Sequence, residues 1–153
     1  MSSVRPMEPR DAQGSIELGY RMHQESVYRD FDYDTNKVGR MLYHYSTNPD
    51  THFMQVAEVD GELVGLFLGA ISEHYFGTDR LASDTLWYVA PEHRGSRVGL
   101  DLLRAFEKWG TSHKVAEICV GVSSGLSTDK TGTLLQKLGY DLVGGNYKLR
   151  VVV

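Results

Sequence analysis

The nine residues Leu63 to Ile71 carry no charged side chain and none that hydrogen-bonds. The run is about half of the ~18 residues that a membrane-crossing helix needs. Asp60-Gly61 stands just ahead of it, a dipeptide that takes positive φ at both positions and closes a tight hairpin. The segment therefore reads as a return strand, Glu62 to about Ser72, apolar on both faces and so covered on both. A chain that covers such a strand on two sides builds a layered domain.

The elements on either side fit that demand. Val4 to Met7 reads as a short edge strand, where Pro6 is tolerable. Asp11 caps a helix to about Val27, with Ile16, Tyr20, His23 and Val27 at helical spacing. Arg29-Asp30-Phe31-Asp32-Tyr33-Asp34 is a loop of acids and aromatics. Asp34 or Thr35 caps a second helix with Val38, Met41, Leu42 and Tyr45 on one face, ended by Asn48-Pro49-Asp50. His52 to Val59 is the first strand of the hairpin. After an irregular excursion from Glu73 to Arg80 comes the strand Ser83 to Val89. In the next helix, about Arg97 to Thr111, Val98, Leu102, Phe106 and Trp109 form one apolar stripe. Val115 to Val122 is a strand. A polar loop, Ser123 to Asp129, leads into a last helix with Leu134, Leu135 and Leu138, which Gly139 ends. Tyr147 to Val153 is a terminal strand. The order gives a single mixed α/β domain over residues 1–153, with a parallel step across the Arg97–Thr111 helix.

Composition excludes several functions. One cysteine, Cys119, rules out a disulfide framework and a multi-cysteine zinc cluster, and its apolar neighbours make it a strand residue rather than a nucleophile. The six histidines show no metal spacing such as two on one helix face, and His23 reads as a packed side chain. No metal is expected. The N-terminal residues lack an apolar leader, so a cytoplasmic protein without membrane attachment is expected. The net charge of −4 argues against general nucleic-acid binding. That charge is unevenly spread: residues 1–90 hold 7 Lys/Arg against 14 Asp/Glu, and residues 91–153 hold 9 against 6.

The most informative segment is Trp87-Tyr88-Val89-Ala90-Pro91-Glu92-His93-Arg94-Gly95-Ser96-Arg97-Val98-Gly99. A buried strand enters a turn with glycines and cations and then a helix. Free N–H groups and the positive end of the helix dipole make such a corner an anion site. The same pattern also serves as a plain strand–turn–helix corner. It lacks the glycine spacing of a dinucleotide fold and the Gly-Lys-Ser/Thr of a P-loop.

The spacing Val89-x-Pro91-x-x-Arg94-Gly95-x-x-Val98-Gly99-x-x-Leu102-Leu103 resembles the acetyl-CoA motif of the GNAT N-acetyltransferase superfamily. Val4 to Ala12 is similar to the family's first strand and helix cap, and Leu134-Leu135-Gln136-Lys137-Leu138-Gly139-Tyr140 to its late helix. The resemblance spans the chain and is to small stand-alone bacterial or phage members. It implies a mixed central sheet splayed between its fourth and fifth strands, with helices on both faces. It also implies acetyl-CoA as cosubstrate. The backbone of Trp87, Tyr88 and Val89 would then pair with the pantetheine arm, and the turn residues Arg94, Gly95, Ser96, Arg97, Val98 and Gly99 would hold the pyrophosphate. Thr128 would contact CoA or simply cap its helix. The N–H of Val89 would polarise the acetyl carbonyl.

Two positions depart from the family pattern. Arg97 stands where glycine is usual, and Leu135 where a tyrosine often protonates the leaving thiolate. The fifth-strand position that sometimes carries a base corresponds to Gly121 or Ser123. Catalytic candidates are therefore sought elsewhere: Asp84 as a base acting directly or through water, with Glu73 and His74 nearby, and Tyr147 or Tyr88 as the acid. Asp84 also reads as a solvent-facing strand-start charge, and the tyrosines as packing aromatics.

In this fold the acceptor site lies against the first two helices, their loop and the excursion before the fourth strand. Tyr28, Asp30, Asp32 and Glu73 there, beside Glu25, Asp34 and Asp79, suit a cationic amine, whether a small molecule or a peptide. A domain that binds acyl-CoA or a protein partner without turnover is the alternative, and Leu135 favours it. Edge pairing through Val151-Val152-Val153 would make a homodimer.

Overall fold

The structure, a computed structural model, describes residues 2–122, 124–126 and 128–151. Five strands form one sheet in the order β1(Ser2–Pro6), β2(His52–Val59), β3(Glu62–Glu73), β4(Arg80–Val89), β5(Glu117–Cys119). The first four run antiparallel to their neighbours, and β5 runs parallel to β4. Helices α1(Ala12–Glu25) and α2(Thr35–Thr47) join β1 to β2. Helix α3(Val98–Ser112) joins β4 to β5, and α4(Thr128–Lys137) follows β5.

The apolar run of β3 is covered on both faces. Phe67 faces a cluster with Phe53, Ala82, Leu102, Phe106 and Leu135, which belongs to α3 and α4. Leu66 and Leu68 face the other cluster, with Leu18 of α1, Leu42 of α2, Val56 and Tyr88. The Asp60-Gly61 turn has φ of +51° and +84°, the positive pair a two-residue hairpin requires. Asp34 caps α2 by accepting from the N–H groups of Asn36 and Lys37 at 3.0 and 3.1 Å. His23 is buried, with its ring against Tyr20 and Tyr33.

Some boundaries differ from the sequence reading. α1 ends at Glu25, because Ser26 turns its Oγ back onto the His23 carbonyl at 3.0 Å. β4 begins at Arg80, three residues early, because β3 extends to Glu73 as its partner. β5 pairs over only three residues. The terminal strand is a correction: residues 140–151 form no strand, since no described strand offers them a ladder. The Val151–Val153 edge pairing therefore has no strand at Val151, and Val152 and Val153 lie outside the described residues. Among the described residues no helix is long and apolar enough to cross a membrane.

Candidate active site

β4 changes neighbours part-way along. Leu81, Ala82 and Ser83 pair with Glu117, Ile118 and Cys119 on one side and with β3 on the other. Past Ser83 the β5 partner ends, while the β3 pairing continues to Val89. The sheet therefore forks at Asp84. A bulge sits at the same place: Gly69 pairs with Asp84 and Leu68 with Leu86, leaving Thr85 over. The Thr85 hydroxyl shares a hydrogen bond of 2.9 Å with Tyr45 of α2.

Asp84 bridges the fork. Its Oδ1 accepts from the Gly121 N–H at 2.9 Å. Burial pushes its carboxyl above the usual value, and the Gly121 N–H pulls it partly back.

Beyond the bulge the direction of each backbone group follows from alternation. The Ala90 N–H donates to the Val64 carbonyl at 2.8 Å, so Ala90 faces β3. Val89, one residue earlier, turns its N–H and carbonyl to the open side, and Trp87 does the same. The Val89 carbonyl there accepts from Arg94 Nε at 2.9 Å.

The turn into α3 follows directly. Gly95 has φ of +86°, a conformation strained for any other residue. Ser96 Oγ donates to the His93 carbonyl at 2.5 Å and accepts from the Val98 N–H at 3.3 Å. Arg97 is a departure that the geometry accommodates: its side chain, 77% exposed, runs along α3 to Asp101 at 3.6 Å. Gly99 lies against β4, so that a Cβ there would meet Val89 Cγ2 at 3.5 Å and the Trp87 ring at 3.8 Å. The first turn of this 15-residue helix thus begins beside the open edge of β4, with its N–H groups lacking helical partners.

A second network adjoins the corner, and sequence reading missed it. Arg94 pairs with Glu25 of α1 at 3.0 Å and lies 5.4 Å from the centre of the Tyr88 ring. The Tyr88 hydroxyl, on a side chain only 3% exposed, donates to the other Glu25 oxygen. Burial and the Glu25 carboxylate push the Tyr88 phenol well above its usual value, so it holds its proton. Arg21 forks onto Glu92 at 3.1 and 2.8 Å. No local spacing joins positions 25, 88 and 94; only the packing of α1 against β4 does.

The other candidates are scattered. Tyr147 is 98% exposed on the C-terminal tail. Glu73 is exposed at the closed end of the fork, in register with Arg80, and shares no described contact with Tyr28 or Asp30. Tyr28 and Asp30 lie on the α1–α2 loop, where Lys148 donates to the Tyr28 hydroxyl and Arg150 pairs with Asp30 at 3.3 Å. Asp32 is exposed nearby. Thr128 is the exposed first residue of α4. Ser123 and Ser127 lie outside the described residues. Burial raises the Cys119 thiol, consistent with a packing role. A trough of about 1980 Å³ opens between β5, α4, the tail and the α1–α2 loop, and reaches Gly121. Leu135 is 8% exposed and packs in the α3–α4 cluster.

Residues 18–140 match the Acetyltransferase (GNAT) family. The chain belongs to that family. No curated protein sequence matches it. Among solved structures, the chain is similar to AAC(6')-Iy in complex with the bisubstrate analogue CoA-S-monomethyl-acetylneamine. Identity is 16%, coverage 100% of this chain and 99% of that one, and the TM-score 0.79. Glucosamine-6-phosphate N-acetyltransferase from Arabidopsis thaliana is 15% identical over 99% of both chains, with a TM-score of 0.77. Ribosomal-protein-alanine N-acetyltransferase from Brucella melitensis biovar Abortus 2308 is 16% identical over 99% of this chain and 100% of that one, with a TM-score of 0.71. At these identities the likeness establishes the fold, which is the GNAT arrangement of a mixed sheet between helices.

Proposed function

We propose that this member of the GNAT family moves the acetyl group of acetyl-CoA to a primary amine by direct attack in a ternary complex, and that the acceptor is a cationic amine. One observation carries the reading: β4 from Asp84 to Val89 is paired on one edge only and runs into the start of α3. An unpaired strand edge suits an arm that bears amides, as pantetheine does. The open N–H groups of a helix start suit a pyrophosphate. Gly95 and Gly99 keep Cβ atoms out of that approach.

In this reading the Val89 N–H donates to the acetyl carbonyl oxygen as negative charge develops there. Asp84 takes the proton of the attacking ammonium through water, a task that a raised carboxyl pKa suits. The amine nitrogen bonds to the carbonyl carbon, the C–S bond breaks, and CoA leaves as its thiolate. A thiol of pKa about 8.5 leaves without a dedicated acid. Neither a tyrosine at the position of the packed Leu135 nor the solvent-exposed Tyr147 is then required as one. The names of two structural neighbours, an aminoglycoside and a glucosamine-6-phosphate N-acetyltransferase, support an amine acceptor.

Two measurements test the reading. Acetyl-CoA should raise the melting temperature in proportion to its binding. Release of free thiol should follow on addition of amines, cationic ones above anionic ones. Preference for anionic amines overturns the acceptor class. Stabilisation without thiol release from any amine selects the second reading, an acyl-CoA binder, which Leu135 favours.

A further inference from the structure

We propose that the loop of residues 27–31 is a receptor for two cations, and that Lys148 and Arg150 of the tail sit in it as an internal occupant. The inference rests on the acceptor reading above and narrows it to amines that carry a primary ammonium and a second cation, such as linear polyamines. Two cation seats carry it. The Lys148 ammonium donates to the Tyr28 hydroxyl and lies 4.1 Å from the centre of that ring. The Arg150 guanidinium donates to the Val27 carbonyl at 2.6 Å, pairs with Asp30 at 3.3 Å and lies 4.5 Å from the centre of the Phe31 ring.

Each seat joins an aromatic face to an oxygen, the combination that recognises an organic cation. One of the two occupants is a primary alkylammonium, the group an acetyl acceptor presents. The loop also lies toward the open end of the fork. Its Val27 N–H donates at 3.0 Å to the carbonyl of Ser124, past the point where β5 has left β4.

Exposed contacts of this kind hold weakly one at a time, so a free ligand can displace them. A tethered occupant nonetheless competes at high effective concentration. It lowers apparent affinity by the fraction of molecules whose loop it fills.

The test is calorimetric titration of spermidine at low salt, without acetyl-CoA, into the wild-type protein and a Lys148→Gln/Arg150→Gln variant. The variant should bind spermidine about fivefold tighter. Adding Asp30→Asn and Phe31→Ala to that variant should weaken binding again. Equal or weaker binding by the tail variant, no loss on the loop substitutions, or no spermidine binding by either protein each overturns the proposal. Melting curves confirm that every variant is folded. No acetyl group moves in this titration, so its failure and a failure of the thiol-release test are read separately.

Discussion

The two halves of β4 share one strand and do different work. From Leu81 to Ser83 the strand has a neighbour on each edge, and Ala82 is fully buried under α3. From Asp84 to Val89 it keeps β3 and loses β5. The first half spends its hydrogen bonds on the sheet; the second leaves every other backbone pair turned outward. Strand propensity would predict the reverse, since Thr85, Trp87, Tyr88 and Val89 are stronger strand formers than Arg80, Ala82 and Ser83. What distinguishes them is the bulge at Thr85 and the departure of β5 at the same level.

That contrast can be broken at four points. Asp84→Asn, at the boundary, should lower kcat by about 10²- to 10⁴-fold, the usual worth of a positioned proton acceptor. Asparagine still offers an oxygen to the Gly121 N–H, so the fold should persist by circular dichroism. Phe106→Ala, beneath the closed half, should instead cost about 3–5 kcal/mol of stability by denaturant unfolding. Phe106 is fully buried between Phe67 and Phe53. Gly95→Ala, in the turn beyond the open half, should cost about 1–3 kcal/mol through its positive φ. It should also raise the KM for acetyl-CoA. Arg97→Ala should change stability by less than about 0.5 kcal/mol, because its pair with Asp101 is exposed. Any rise in the KM for acetyl-CoA there should shrink with added salt.

pH sharpens the same contrast. The Asp84 carboxyl binds its proton more tightly in the folded protein than in the unfolded chain, since burial raises it. The stability it contributes is complete below the ordinary value of 3.8 and is lost as pH rises through the raised native value. Asp11 has the opposite sign: its hydrogen bond from Arg5 lowers it, so its contribution is present above its ordinary value and lost on acidification. The melting temperature of Asp84→Asn should therefore gain on the wild type as pH rises through the carboxylate range. A difference that is flat with pH would show that Asp84 is not desolvated.

Much of the architecture was legible in the chain. The covered strand, the Asp60-Gly61 turn, the Asp34 cap and the α3 stripe are each written in local spacing, and they were found where expected. The strand–turn–helix corner was legible too, because Gly95 and Gly99 mark it. The bulge was not: Thr85 looks like any strand residue, and only the register against β3 reveals it. The Glu25–Tyr88–Arg94 network was equally hidden, because its partners are 63 and 69 positions apart from Glu25 and meet through packing. The terminal strand was over-read, since Tyr147 to Val151 alternate like a strand but find no ladder. The pairing of Asp30 with Arg150 was hidden as well, since the two stand 120 positions apart and meet only where the tail reaches the α1–α2 loop.

The extra residue at Thr85 also sets a parity. Ala82 and, past the bulge, Trp87 and Val89 point to the α3 layer, while Leu86, Tyr88 and Ala90 point to the α1–α2 layer. Odd and even positions exchange layers at that single residue. Deleting Thr85 would restore strict alternation and move every later side chain across the sheet: Tyr88 would leave Glu25, and Trp87 would leave Gly99. The corner is thus a frame-dependent feature, set by the number of residues in β4 as well as by their identity.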